Sequence, residues 1–153
     1  MIDRFETFTF AISEISHCWN KIAAEEMEKY GLKAAYAFYL VALYKHDEGI
    51  TAANLCELCN KDKAEISRSV SFLEKKGLCV RENVGENSYR ALIKLTKEGK
   101  KAAEYVKNRA EIAVCTAGSG ITEEERTVFY KALCAIASNL KAITKEGLEK
   151  SSR

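Results

Sequence analysis

The chain has 153 residues, of which 47% are hydrophobic and 30% charged, and its formal net charge is +2. This length suits a single domain, 1–153, whose core needs neither disulfides nor metal. No apolar run approaches the ~20 residues that cross a membrane, and the N-terminal segment lacks the pattern of a secretory signal. We therefore expect a cytoplasmic protein with no membrane contact.

Positive charge is concentrated in the middle of the sequence. From Lys61 to Lys101 there are eleven Lys and Arg residues against six Asp and Glu, whereas the rest of the chain has thirteen against sixteen. A basic segment between acidic ends favours a polyanionic partner. Charge alone fits an ordinary solvated surface equally well.

The cysteines sit mostly inside helical apolar patterns, which predicts reduced, buried thiols rather than a disulfide framework. Two of them form a C-x-x-C pair, but no second pair follows at a zinc-binding spacing. We expect core positions for this pair and no metal site. The six are Cys18, Cys56, Cys59, Cys79, Cys115 and Cys134.

Two helices are predicted first. Apolar residues recur at steps of three and four through 1–30, which indicates one stripe along a helix. Gly31 ends this helix, and a second helix is predicted over 34–45. The stripe consists of Phe5, Phe8, Ile12, Ile15, Trp19 and Ile22.

A helix-turn-helix pattern follows. Thr51 is suited to cap a short helix over 52–59, after which Asn60 can adopt a left-handed backbone. Asp62 is suited to cap the next helix, over 63–76. Two short helices joined by a tight turn are typical of DNA-binding modules.

A hairpin and two more helices complete the chain. Alternating residues over 78–83 and 89–95, on either side of a polar turn, predict a β-hairpin. Thr96 is suited to cap a long helix reaching Cys115, and an S/T-x-x-E capping box starts the last helix. That box is Thr122 with Glu125, and the stripe behind it is Phe129, Leu133, Ile136, Leu140 and Ile143.

This order of elements predicts a mainly α fold with a small β-hairpin wing. The expected architecture is a winged helix-turn-helix core at 34–98, flanked by terminal helices at 1–30 and 101–144.

The stretch 49–102 resembles the MarR family of bacterial regulators. The individual motifs are weak, but their order and spacing together are specific, and with the terminal helices the resemblance covers nearly the whole chain. It implies double-stranded DNA as partner and no catalytic activity. The matching residues are Thr51, Leu55-Cys56, Ser67-Arg68, Leu73, Gly77-Leu78, Leu95-Thr96 and Gly99.

The resemblance places the helix at 63–76 in the major groove of DNA. Its apolar residues at i, i+4 and i+7 fix the buried face, so that the opposite face is predicted to contact DNA. The buried set is Ile66, Val70 and Leu73, and the outward set is Ala64, Glu65, Arg68 and Ser69.

Arg68 is the leading candidate for a base contact, because arginine pairs with guanine through two hydrogen bonds worth ~1–3 kcal/mol of discrimination. Glu65 suits a cytosine amino group and Ala64 a thymine methyl. Phosphate contacts, which hold register without reading sequence, are assigned to Thr51, Lys63 and Ser67.

The wing contact stays open between two residues. Arg90 and Lys94 share one strand face, and both are candidates for the minor groove or its phosphates. The family pattern has an acidic residue two positions before an arginine, whereas this chain has Asn87 and Tyr89 there. Arg81 is a candidate to brace the hairpin.

The two terminal stripes could pack together within one chain. The resemblance implies instead that terminal helices of two chains interlock in a homodimer. Two recognition helices would then meet successive major-groove turns about 34–36 Å apart, so a near-palindromic target is expected.

Three functions stay open. The resemblance implies a repressor released by a small aromatic ligand; a second possibility is an oxidant switch at Cys18, and a third is a winged-helix protein-interaction module. The sequence shows no nucleophile with a base partner and no phosphate-binding glycine loop, so we expect neither an enzyme nor a cofactor. The pocket candidates, which fit ordinary core equally well, are His17, Trp19, Tyr36 and Tyr39.

Overall fold

The computed structural model describes residues 3–85 and 91–148, and the chain divides into two compact units, Met1–Glu111 and Ile112–Arg153. No helix in the described ranges is both long enough and apolar enough to cross a membrane. The elements in chain order are α1 (Arg4–Glu28), α2 (Ala35–Tyr44), β1 (Ile50–Thr51), α3 (Ala52–Cys59), α4 (Lys63–Lys75), β2 (Cys79–Glu82), β3 (Leu92–Leu95), α5 (Lys97–Ala117) and α6 (Glu123–Glu146).

Side-chain caps fix the turn between α3 and α4. Thr51 Oγ1 accepts a hydrogen bond from the Asn54 amide at 3.2 Å, and Asp62 Oδ1 accepts one from the Glu65 amide at 2.7 Å. Between the helices Asn60 has φ 51° and ψ 47°, a left-handed conformation that asparagine tolerates. The predicted helix-turn-helix is confirmed.

The strands form one antiparallel sheet in the order β1-β3-β2. Ile93 in the central strand pairs with Ile50 on one side and with Arg81 on the other. The hairpin of β2 and β3 is the predicted wing. The sequence pattern assigns 49–51 to a break and a cap and does not predict β1. A strand of two residues is too short to show an alternating pattern, and it forms only by pairing with a neighbouring strand.

The core of the first unit combines the end of α1 with α2, α3, α4, the sheet and the start of α5. The predicted buried face of α4 is confirmed, since Ile66, Val70 and Leu73 are each at most 2% exposed. Other side chains that are almost fully buried are Met27, Leu40, Leu43, Leu55, Cys79 and Ile93.

The two terminal helices expose the predicted apolar stripes, except for Leu133, which is half-buried. Every residue over 3–22 is exposed, and the first buried residue of α1 is Met27. No residue of α6 is buried, although its start carries the predicted capping box of Thr122 and Glu125. Apolar stripes of this length in solvent are typical of surfaces that bind another protein.

The cysteines differ from the expectation that most are buried. Cys59 and Cys79 are buried and Cys56 is half-buried, whereas the other three are exposed. Burial raises the pKa of the Cys59 thiol to about 11 and that of Cys79 to about 12, so both are unreactive at neutral pH. The exposed thiols, on α1, α5 and α6, are Cys18, Cys115 and Cys134.

Candidate nucleic-acid interface

The N-terminal half of α4 presents a polar face to solvent. Arg68 and Ser67 are exposed one turn after Lys63 and Ala64, which are also exposed. The hydrophobic core holds the opposite face, so these four side chains have a fixed direction. A rigid helix with an exposed basic and small-residue face has the shape and charge that a major groove accepts.

Ser69 does not belong to this face. It is predicted to point outward, but it is only 8% exposed. Three residues after Ile66 and four before Leu73, it lies on the buried side of the helix. The prediction of a DNA contact by Ser69 is therefore wrong.

Glu65 is held by two other side chains. Its Oε1 lies 2.9 Å from Lys61 Nζ and accepts a hydrogen bond from the Tyr39 hydroxyl at 3.2 Å. The side chain is 35% exposed, whereas Tyr39 is buried. The carboxylate predicted to bind cytosine is thus already bound within the protein.

Thr51 caps the start of α3, and its hydroxyl proton is available for a further hydrogen bond. Its Oγ1 accepts from the Asn54 amide, and a hydroxyl that accepts one hydrogen bond can still donate another. The residue is half-buried. Its geometry fits the predicted phosphate contact.

Arg81 joins the wing to α4. From strand β2 its guanidinium forms an ion pair with Glu74 and reaches Ser71 Oγ at 3.4 Å and the Ser67 carbonyl at 3.5 Å. The sequence suggests a brace within the hairpin, and in the structure that brace extends to α4. The wing strand and the exposed face of α4 are thereby fixed to each other.

Lys94 forms an ion pair within the hairpin. Its Nζ lies 2.7 Å from Glu82 Oε2 across the hairpin, and this hydrogen bond raises the Lys94 pKa. A phosphate contact by Lys94 requires the lysine to leave Glu82. The other wing candidate, Arg90, lies outside the described residues.

A cavity of about 360 Å3 opens between α1, α2 and α5 within the first unit. Its wall is largely apolar, and its polar side is an ion pair in which Arg109 Nε lies 2.7 Å from Glu26 Oε1. Tyr105 donates a further hydrogen bond to Glu26 Oε2 at 2.6 Å. The apolar wall includes Trp19, Ile22, Ala35, Phe38, Val41 and Val106.

The four predicted pocket residues are not brought together. Trp19 lines this cavity, whereas His17 lies in a shallow groove on the exposed part of α1. Tyr36 and Tyr39 pack edge to face with ring centres 5.7 Å apart, and neither lines the cavity. Among the described residues no group of three or more His, Cys, Asp or Glu side chains could hold a metal.

Three solved structures resemble the chain over most of its length. A proposed MarR family transcriptional regulator from Listeria monocytogenes, complexed with a 26mer DNA, is 24% identical, covers 99% of this chain and 100% of its own, and has a TM-score of 0.82. A complex of Staphylococcus aureus MepR with DNA is 23% identical over 87% and 98% of the two chains, with a TM-score of 0.78. A MarR transcriptional regulator from Methanosarcina mazei Go1 is 23% identical over 94% of each chain, with a TM-score of 0.80.

This is the MarR-type winged helix-turn-helix fold. The fold predicted from the family resemblance is confirmed. A curated protein, the uncharacterized HTH-type transcriptional regulator YdgJ of Bacillus subtilis (strain 168), is 27% identical over 125 residues, 81% of this chain and 76% of that protein. No protein-family model matches the chain. All four similar proteins are named as regulators or DNA complexes, and none is named as an enzyme.

The L-T-x-x-G motif of the MarR-type pattern acts as a junction in this fold. The Thr96 hydroxyl donates to the Gly77 carbonyl at 2.6 Å and accepts from the Gly99 amide at 3.0 Å, while the Thr96 amide donates to the Leu78 carbonyl at 3.0 Å. A Cβ on Gly99 would lie 1.8 Å from the Leu78 oxygen. The motif therefore joins the end of α4, the base of the wing and the start of α5.

The partners that hold the interface are only partly visible in the sequence. Lys61 and Glu65 are four residues apart, a spacing that favours an ion pair on a helix, and this is a signal that could have been used. Tyr39 is brought to α4 by tertiary packing, which also pairs Arg81 of β2 with Glu74 of α4, and nothing in the local sequence indicates either contact.

Proposed function

We propose that this chain is a sequence-specific DNA-binding transcriptional regulator of the cytoplasm that reads the major groove with α4. The exposed face of Lys63, Ala64, Ser67 and Arg68 on a firmly anchored helix carries the proposal. Support comes from the two similar structures that contain DNA. Arg68 is the base contact, and Thr51, Lys63 and Ser67 contact phosphates.

The test is a titration with the duplex upstream of its own gene and with a shuffled duplex, at several salt concentrations. A DNA-binding chain loses affinity steeply as salt rises and prefers the specific duplex. Arg68→Ala should cost ~1–3 kcal/mol and relax the preference at one base pair. Lys63→Ala should weaken all duplexes alike and reduce the salt slope by about 1.

Arg4→Ala is the matched control, because Arg4 is exposed at the start of α1. If affinity were unmeasurable at low salt, or if Arg68→Ala behaved like Arg4→Ala, the proposal would fail. The remaining candidate would then be a winged-helix module that binds another protein.

We also propose that the regulator is a homodimer in which the terminal helices of one copy cover the apolar stripes of the other. The stripes on α1 and α6 are exposed within one chain, and long amphipathic helices are stabilised mainly by burying their apolar face. A dimer places two recognition helices about 34–36 Å apart, so a near-palindromic operator is expected.

Sedimentation of two matched variants tests the dimer. Phe8 belongs to the α1 stripe and is 40% exposed, whereas Phe10 lies off the stripe and is 71% exposed. Phe8→Asp should shift the chain towards monomer, and Phe10→Asp should shift it far less. Equal effects of the two variants, or a monomeric wild type, would contradict this interface.

A small aromatic effector that releases the operator is proposed for the cavity beside Trp19. Its volume lies in the range of pockets that hold small ligands, and its mostly apolar wall with a few polar groups is typical of them. At one side of the cavity Arg109 supplies hydrogen-bond donors and Glu26 supplies an acceptor. On this proposal the regulator represses the genes beside its operator until the effector releases it.

Trp19 is the only tryptophan, so its fluorescence reports on the cavity. A panel of small aromatic acids and phenols should quench it and should weaken operator binding over the same concentrations. Ala35→Phe, which fills the wall from an exposed position, should abolish quenching and leave operator binding intact. Release without quenching would remove the cavity from the mechanism.

A thiol switch is the alternative trigger, since Cys18 is exposed on α1. Peroxide should then weaken operator binding by the wild type and not by Cys18→Ser. An identical response of both proteins would eliminate it.

A further inference from the structure

Glu65 connects the recognition helix to two other parts of the fold through a single oxygen atom. Lys61 precedes α4 in the turn, and Tyr39 belongs to α2, 26 residues earlier in the chain. Both donate to Oε1 of the same carboxylate. The turn, α2 and the first turn of α4 therefore meet at Glu65.

We propose that Glu65 is a positioning residue that sets the orientation of α4, and with it the direction of Arg68, rather than a residue that reads a base. The inference rests on the proposed function of α4 in DNA binding. It assigns to Tyr39 and Lys61 the role of holding the Glu65 carboxylate.

The burial of Tyr39 argues for this role. Tyr39 is 3% exposed, and its hydroxyl meets the Ser69 side chain as well as the Glu65 carboxylate. A carboxylate that swings out to a cytosine would deprive this buried hydroxyl of its charged acceptor, and a hydrogen bond to a charged group is stronger than one to a neutral hydroxyl. The carboxylate is thus held towards the protein side of the helix.

The spacing along α4 links this contact to Arg68. Arg68 is three residues after Glu65, so the two lie on neighbouring positions of one helix face. Asp62 caps the same turn through the Glu65 amide. Rotation or fraying of this turn would move Arg68 relative to the groove, even though Glu65 touches no base.

The experiment is a double-mutant cycle of Tyr39→Phe and Glu65→Ala. Operator binding is measured on a set of duplexes in which each base pair is replaced in turn. Each single variant should lower the affinity for every duplex by a similar factor and leave the ranking of bases unchanged. The double variant should bind no more weakly than the single variant that binds less tightly. Glu65→Gln, which keeps an acceptor for Tyr39, should lose less than Glu65→Ala.

Urea unfolding without DNA gives a second readout of the same cycle. The coupling should change the unfolding equilibrium constant by about 2- to 10-fold. Tyr36→Phe is the matched control, since Tyr36 is the neighbouring tyrosine of α2 and its hydroxyl has no hydrogen bond within the described residues. It should show no coupling to Glu65→Ala.

Two results would overturn the positioning role. One is a loss of preference at a single base pair in Glu65→Ala that Tyr39→Phe does not share, which would make Glu65 a base contact. The other is additive effects of the two substitutions. A wild type that binds no DNA while the unfolding coupling is present would instead overturn the proposed function of α4.

Discussion

Gly99→Ala tests the junction between the wing and α5. An added Cβ would lie 1.8 Å from the Leu78 carbonyl oxygen, where an ordinary contact begins at 3.4 Å. The start of α5 and the backbone of Leu78 must therefore separate by about 1.6 Å. This movement stretches the hydrogen bond of 3.0 Å between the Thr96 amide and the same oxygen.

The expected loss of stability follows from these two effects. Overpacking costs ~1–3 kcal/mol, and the weakened hydrogen bond adds ~0.5–1.5 kcal/mol. Opposing them, alanine is favoured over glycine in a helix by up to ~1 kcal/mol. The free energy of unfolding should therefore fall by about 2 kcal/mol, within a range of about 0.5–4.5 kcal/mol. A fall means that the steric clash outweighs the helix propensity of alanine.

Urea unfolding followed by circular dichroism, at one protein concentration, measures this change. Gly77→Ala is the matched control, because a Cβ there meets no atom within 4 Å although φ is +73°. It should cost only the ~1–2 kcal/mol of a left-handed alanine. A Gly99→Ala protein as stable as the wild type, or more stable, would refute the steric argument.

Three further predictions concern other contacts. Thr96→Val should destabilise the fold by about 1–2 kcal/mol in the same urea assay, because both hydroxyl hydrogen bonds are lost, and Thr96→Ser should restore most of it. Hydrogen bonds from Tyr105 and Arg109 lower the pKa of Glu26 below 4.5, so its contribution to stability is present above that pH and is lost as pH falls through the lowered pKa. The stability difference between wild type and Glu26→Gln should therefore shrink in acid; a constant difference would contradict the pairing. In a thiol-reagent time course on the native protein, Cys59 and Cys79 should react last, and early labelling of either would contradict their burial.

Local patterns were enough to predict most of the fold. The caps at Thr51 and Asp62 and the left-handed Asn60 depend on contacts within a few residues, and these are visible in the sequence. The buried face of α4 follows from helical spacing alone. β1 could not be predicted, because its two residues are a strand only through their pairing with β3.

The candidate interface was predictable in part. The spacing of apolar residues that turns Arg68 outward also places Ser69 close to the border of the buried face, and packing against the core decides on which side it falls. Glu65 has the exposure and the chemistry of a base contact. The spacing of Lys61 and Glu65 indicates one partner for the Glu65 carboxylate, but the second partner, Tyr39, lies 26 residues away and is brought there by tertiary packing.

Because of the junction around Thr96, a change in the length of the wing need not disturb the rest of the fold. The chain leaves at Leu78 and returns at Thr96, and both ends are fixed there by hydrogen bonds and by the close approach of Gly99. Doubling the length of a loop costs only ~0.6 kcal/mol of closure entropy. We therefore expect insertions and deletions between the two strands to change the length of the wing without moving α4.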